Sequence, residues 1–211
     1  GNRIVRKQET NIGDFCADAL RSFTDADIAM VNGGGIRTNI KRGEILFNDL
    51  YNVMPFGDMI ATGTFYGEQL LDVLEFAVSA LPTEAGTFMQ VSGLRFTVDP
   101  DIPSPVMKDT ETGMFSHVGE GERRVSHVEI LDKQSGEYKA VELSRQYTIA
   151  TLDYLILEQG GSGILSCVKP DSIYWGADIE VLRHYLESVL GGNIGSEYTQ
   201  PQGRIIYKYF N

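Results

Sequence analysis

Asp27-Ile28-Ala29-Met30-Val31-Asn32-Gly33-Gly34-Gly35-Ile36-Arg37 decides how the chain is read. The apolar run from Ile28 to Val31 is the kind that makes a short buried strand, and it stops abruptly where an asparagine and three glycines begin. Upstream, Ile12, Cys16, Ala19, Leu20 and Phe23 recur at helical spacing with Asn11 positioned as a cap, which predicts an amphipathic helix of about three turns. The glycine triplet therefore lies at the carboxyl end of a strand that follows a helix. Glycines there can present successive backbone N–H groups to an anion or a heterocycle, with the Asn32 amide before them and the Arg37 guanidinium after. They serve equally well for close packing of backbone on backbone, and spacing alone leaves both readings open. The string lacks the Gly-x-x-x-x-Gly-Lys pattern, so a triphosphate cradle is not implied.

Working outward, a short helix is expected around residues 48–54, followed by Pro55-Phe56-Gly57 and a strand over 59–65. Gly67 opens a helix whose apolar face is Leu70, Leu71, Leu74, Ala77, Val78 and Leu81. Residues 88–98 and 124–131 read as strands, and 99–123, with Pro100, Pro103 and Pro105, as a long excursion. A strand over 146–151 leads into Asp153-Tyr154 and the loop Gly160-Gly161-Ser162-Gly163. A helix over 178–190 and a strand over 204–209 close the chain. Interleaved helices and strands with hairpin-like pairs and no linker predict an α+β fold, a single domain with a mixed β-sheet flanked by helices.

Composition narrows the function classes. The 211 residues carry 18 Lys and Arg against 29 Asp and Glu, a net charge of -11, which repels polyanions and argues against nucleic-acid binding. No stretch approaches the ~18 consecutive apolar residues of a transmembrane helix. The chain opens on Gly rather than Met, with no signal-peptide pattern, which suggests a trimmed or engineered start and leaves open whether a signal preceded it. Cys16 and Cys167 are read as two buried thiols, although they could pair. His117, His127 and His184 are scattered and form no metal-binding spacing, so each is read as a structural or exposed residue. No Gly-x-Ser-x-Gly elbow occurs, and neither cysteine has a nearby histidine. The chain alone is expected to do no chemistry.

Binding is better supported. Phe56, between two backbone-restricting residues, is either a rigid exposed ring or an ordinary core side chain. Tyr154, ahead of a glycine-rich loop, offers a second aromatic face, and two such rings across a gap would clamp a flat base by stacking.

Glu9-x-Asn11-x-Gly13, Asn32-Gly33-Gly34-Gly35-Ile36-Arg37, Pro55-Phe56-Gly57 and Gly160-Gly161-x-Gly163, in that order, resemble the C-terminal domain of the 5'-nucleotidase and UDP-sugar hydrolase family over essentially the whole chain. The resemblance implies the fold of that domain over residues 1–211, and an N-terminal metallophosphoesterase domain with two divalent metal ions that is absent from these residues. It implies roles as well: Phe56 and Tyr154 as clamp rings, Asn32 on the base edge, Gly34 allowing close approach, and Arg6 and Arg37 toward ribose and phosphate. Ser162 stands where the family commonly has an Asp that holds ribose hydroxyls, and the stretch from Tyr154 to Gly160 is about two residues longer than usual.

The leading expectation is a nucleotide-recognition domain acting in nucleotide catabolism, inactive alone, that completes a two-metal phosphohydrolase as part of a longer chain or as a subunit. Its substrate would be a nucleoside 5'-monophosphate, with UDP-sugars and 2',3'-cyclic nucleotides as family alternatives. The resemblance also implies a periplasmic, cell-envelope or secreted location. Two other readings stand beside it: a stand-alone nucleoside-binding protein, and a structural or dimerisation module whose clamp has decayed.

Overall fold

The computed structural model describes residues 3–157 and 162–208. Helix α1 (Asn11–Thr24) leads into strand β1 (Ile28–Asn32), and α2 (Phe47–Val53) precedes β2 (Met59–Tyr66) and α3 (Gly67–Val78). Strands β3 (Met89–Ser92), β4 (Leu94–Val98), β5 (Val106–Lys108), β6 (Phe115–Val118), β7 (Val125–Leu131), β8 (Tyr138–Ala140) and β9 (Gln146–Leu152) follow. The chain then forms α4 (Asp153–Ile156), β10 (Lys169–Ala177), α5 (Asp178–His184) and β11 (Ile205–Tyr207). The α+β reading holds, but the β-structure is divided. A five-stranded sheet has the order β10-β2-β9-β1-β3, a four-stranded sheet the order β11-β4-β7-β8, and β5 and β6 pair as a separate hairpin. Both larger sheets are mixed, because β1 runs parallel to β9 and β11 parallel to β4 while the other pairs are antiparallel.

Several local expectations change. The cap of α1 is Thr10, not Asn11: Thr10 has extended backbone and its hydroxyl accepts the Gly13 N–H at 3.1 Å. Asn11 is already helical, and its side-chain amide donates instead to the Tyr198 carbonyl at 2.8 Å. The single strand read over 88–98 is two strands in two sheets. They part at Gly93, where φ is +69° and a Cβ would stand 2.3 Å from the Asp27 carbonyl oxygen. The excursion over 99–123 contains the β5–β6 hairpin, and the helix expected to reach 190 passes after His184 into a π-helical turn, Tyr185–Val189. Tyr209 and the glycines Gly160 and Gly161 lie outside the described residues.

All five residues of β1 are buried, as a strand covered on both faces requires. The α1 side chains Phe15, Cys16, Ala19 and Leu20 lie in the same continuous core as Ile28, Met30, Ile149 and Leu182. The C-terminal segment is fastened to this core by polar side chains. Asp18 accepts from Tyr198 Oη and Arg204 Nη2, both at 2.7 Å, Glu9 accepts the Ile205 N–H at 2.7 Å, and Asp14 accepts the Gln202 N–H at 3.1 Å.

Candidate site at one end of the five-stranded sheet

Strand direction gathers the candidates. β9 is parallel to β1 and antiparallel to β2, with Ile28 opposite Ile149 and Ile60 opposite Leu152. The end of β1, the end of β9 and the start of β2 therefore share one end of the sheet. So do the start of β3, where Met89 faces Asn32, and the end of β10, where Ala177 faces Met59. Asn32 to Arg37, Phe56 and Tyr154 consequently leave the sheet at the same end.

The glycine turn itself is packed rather than open. Gly33 N–H donates to Phe88 O at 2.7 Å, Gly34 N–H to Gly86 O at 3.0 Å, Gly35 N–H to Asn32 O at 2.9 Å, and Arg37 N–H to Val53 O at 2.8 Å. Of the two readings left open by the spacing, close packing holds for these amides, since backbone carbonyls already accept all four. Gly33 is required by approach: a Cβ there would stand 2.2 Å from Val5 O in the 3-10 turn Ile4–Arg6. At Gly34 it would meet Asn32 Nδ2 at 2.9 Å and Gly86 O at 3.0 Å. Asn32 is only 9% exposed; its Nδ2 donates to Gly86 O at 3.2 Å, and its Oδ1 has no hydrogen-bond partner among the described residues.

The donors at this end are guanidinium groups. Arg37 is exposed, donates from Nη1 to Gly34 O at 3.3 Å, and lies 5.7 Å from the centroid of the Phe56 ring. Arg6, in the 3-10 turn against Gly33, has a buried Nε without a partner. Arg3, which the sequence reading passed over, donates to Ile36 O and to Gly33 O. Burial lowers the Arg3 pKa, and the positive charges of Arg6 and Arg37 lower it further, so the three cations crowd one another. In a protein of net charge -11 that is a local inversion of sign suited to an anion.

Phe56 is 61% exposed and Tyr154 38% exposed, so the core reading of Phe56 is excluded. The turn that presents Phe56 needs Gly57 at φ +71°. Two carboxylates border it. Asp153 Oδ1 accepts from Met59 N at 3.1 Å and from Tyr154 N at 2.8 Å, and Asp178, 1% exposed, donates its N–H to Asp58 O at 2.9 Å. Neither aspartate was given a role from the sequence, where Asp178 is one acidic residue at a helix start and Asp153 stands between a strand and Tyr154. Ser162 is half-buried, and its carbonyl accepts the Phe115 N–H at 2.7 Å, which ties it to the β5–β6 hairpin.

The remaining candidates are structural. His117 and His127 are exposed and contact neighbouring serine hydroxyls, while the His184 ring meets Phe23 edge-on. Cys16 and Cys167 are free thiols, the first fully buried and the second partly so. Among the described residues, no group of three or more His, Cys, Asp and Glu is placed to hold a metal ion, and no helix is long and apolar enough to cross a membrane.

Comparison with known proteins gives a consistent picture. A family model described as the 5'-nucleotidase C-terminal domain matches residues 2–169. A 5'-nucleotidase of Vibrio parahaemolyticus is 29% identical over 210 residues, which span 99% of this chain and 32% of the relative. A trifunctional nucleotide phosphoesterase of Bacillus subtilis is 31% identical over 205 residues, 95% of this chain and 12% of the relative. The crystal structure of a 5'-nucleotidase precursor from Thermus thermophilus superposes with a TM-score of 0.78 at 27% identity, covering 96% of this chain and 36% of that one. The chain thus spans about a third or less of the length of these relatives.

Proposed function

The chain belongs to the 5'-nucleotidase C-terminal domain family, and from that premise we propose that residues 1–211 form one nucleotide-recognition domain of a 5'-nucleotidase-type phosphohydrolase. Hydrolysis of the phosphate ester belongs, in this reading, to a metallophosphoesterase domain outside these residues, together with its two divalent metal ions. The relatives' greater length supports that division of labour. The substrate is a nucleoside 5'-monophosphate, and the assembled enzyme works in the periplasm, at the cell envelope or outside the cell.

The observation that carries the reading is the pairing of an exposed ring with a guanidinium, Phe56 with Arg37, at the sheet end where Tyr154 also emerges. Phe56 stacks on one face of the base and Tyr154 on the other. Arg37, Arg6 and Arg3 reach the ribose and phosphate side, where guanidinium forks match anionic oxygens. Asn32 and Gly34 act through the turn: one Nδ2 hydrogen of Asn32 is held by Gly86 O, and its Oδ1 accepts a donor from the base edge. Ser162 supplies a hydroxyl, in place of a carboxylate, toward the ribose. The domain's contribution is orientation, which lowers the barrier by holding the phosphate where a nucleophile can attack.

Calorimetric titration of the chain with adenosine and AMP, with Phe56→Ala alongside, tests the proposal. One stacked base is worth about 1–3 kcal/mol, so the variant is expected to bind that much more weakly. Absence of binding by the wild type, or binding indifferent to the substitution, would overturn it in favour of a scaffold role.

A further inference from the structure

Exposed rings on loops are useful only if the loop is stiff, because a mobile ring loses on binding the entropy it enjoyed when free. The Phe56 turn has little packing of its own. A Cβ at Gly57 would have nothing within 4 Å, and Phe56 is mostly exposed. Apart from the Arg37 guanidinium beside it, whatever holds the ring must therefore act on the backbone.

Two aspartates do so from neighbouring strand ends, Asp153 through its carboxylate and Asp178 through its main chain. Asp153, just after β9, takes the Met59 N–H and its neighbour's Tyr154 N–H on one oxygen. Asp178, just after β10, takes the Ile179 N–H at 2.6 Å and gives its own N–H to Asp58 O. Burial raises the Asp178 pKa to about 6; the amides of Ile179, Asp58 and Gly57 pull against that rise, and the like charge of Asp58 adds to it. Oδ2 of Asp178 is buried with no hydrogen-bond partner among the described residues, so the geometric tie from Asp178 to the loop is its main-chain bond to Asp58 O. The Asp58 carbonyl and the Met59 amide, just after the ring, are thus each held from a neighbouring strand end, the first by the Asp178 main chain and the second by the Asp153 carboxylate.

We infer that Asp153, together with Asp178, is a positioning residue for nucleotide recognition: the Asp153 carboxylate joins the backbone after Phe56 to the Tyr154 amide, Asp178 holds the same backbone at Asp58, and the pair so fixes where one ring stands relative to the other. A carboxylate kept in a nearly solvent-free position is costly unless it organises its surroundings. Here the surroundings are the one loop that carries the exposed ring. The inference rests on the reading of Phe56 as a stacking residue.

Asp178→Asn preserves shape and removes a charge whose burial is unfavourable, so the fold is expected to survive. Two readouts are needed on the 211-residue chain. Amide hydrogen exchange at Gly57 and Asp58 is expected to accelerate in Asp178→Asn while exchange along β1 stays unchanged. Adenosine affinity is expected to fall by about tenfold, the scale of one hydrogen bond to a charged group, while binding of inorganic phosphate is unaffected. Asp153→Asn should repeat the pattern at Met59 and Tyr154. Unchanged exchange at Gly57 and Asp58 would overturn the inference, as would faster exchange with undiminished adenosine binding. Phe56→Ala separates the two levels. If it weakens adenosine binding and Asp178→Asn does not, the positioning role fails alone; if it has no effect, the stacking reading fails and the positioning role with it.

Discussion

The guanidinium of Arg37 stands 5.7 Å from the centre of the Phe56 ring while it donates to the Gly34 carbonyl at 3.3 Å. One side chain thereby links the glycine turn after β1 to the aromatic loop before β2. At that distance an arginine over an aromatic face contributes about 0.5–1 kcal/mol at an exposed site. Arg37→Lys keeps the charge but loses the planar fork. It is expected to weaken AMP binding more than adenosine binding, because only AMP offers an anionic partner. A double-mutant cycle with Phe56→Ala, read by calorimetric titration, should give coupling between the two residues. Strict additivity would mean that Arg37 serves the phosphate alone.

Gly33 and Gly86 face each other's segments across the same turn and should respond oppositely to alanine. A Cβ at Gly33 would lie 2.2 Å from Val5 O, backbone against backbone, whereas at Gly86 the nearest atom is Gly34 Cα at 3.6 Å. Gly33→Ala must displace the 3-10 turn that carries Arg6, at a cost of roughly 3 kcal/mol. Gly86→Ala is expected to stay within about 0.5 kcal/mol of wild type. Urea unfolding of the two variants checks this, and equal midpoints would show that the 3-10 turn gives way freely.

How far the sequence disclosed these relationships depended on their range. Ile28 to Val31 announced β1 because a doubly covered strand needs an unbroken apolar run, and Phe56 could be singled out because proline and glycine bracket it. The family likeness was likewise carried by contiguous strings. What stayed hidden was long-range. Whether the amides of Gly33 and Gly34 face a ligand or a neighbour depends on Phe88 and Gly86, more than fifty residues away, and those neighbours accept them. The strand over 88–98 looked continuous because a change of sheet at Gly93 does not interrupt the apolar pattern of Met89 to Val98. Asp178 looked like any acidic residue at a helix start until Asp58 was found against it.

The C-terminal segment offers a test of stability apart from the site. Arg204 Nη2 meets Asp18 Oδ2 at 2.7 Å, its Nη1 donates to Val91 O at 2.6 Å, and Asp18 also takes the Tyr198 hydroxyl. With the Arg204 side chain only 7% exposed, removing it leaves buried acceptors uncompensated. Arg204→Met is expected to destabilise the chain by about 3–5 kcal/mol in urea unfolding. A loss below about 1 kcal/mol would show that the pair is solvated in solution and that β11 is held by its pairing with β4 and by the Glu9 carboxylate on the Ile205 N–H.

Asp14, fully buried beside that pair, sets the sign of a pH dependence. Burial raises its pKa to about 7; Arg204, 3.7 Å away, pulls the value down, and Glu9 pushes it up. The unfolded chain releases this proton near pH 3.9. Between roughly pH 4 and 7 the folded state therefore binds more protons than the unfolded state, and stability falls as pH rises through that window. Asp178, at about 6, acts in the same direction over a narrower range. Each group contributes a slope of at most about 1.4 kcal/mol per pH unit. Asp14→Asn, which cannot ionise, should be less sensitive than wild type between pH 5 and pH 7 when unfolding free energies are compared by urea titration. Identical pH dependence in the two proteins would mean that Asp14 stays charged in the folded chain at pH 5, held so by Arg204 against the effect of burial.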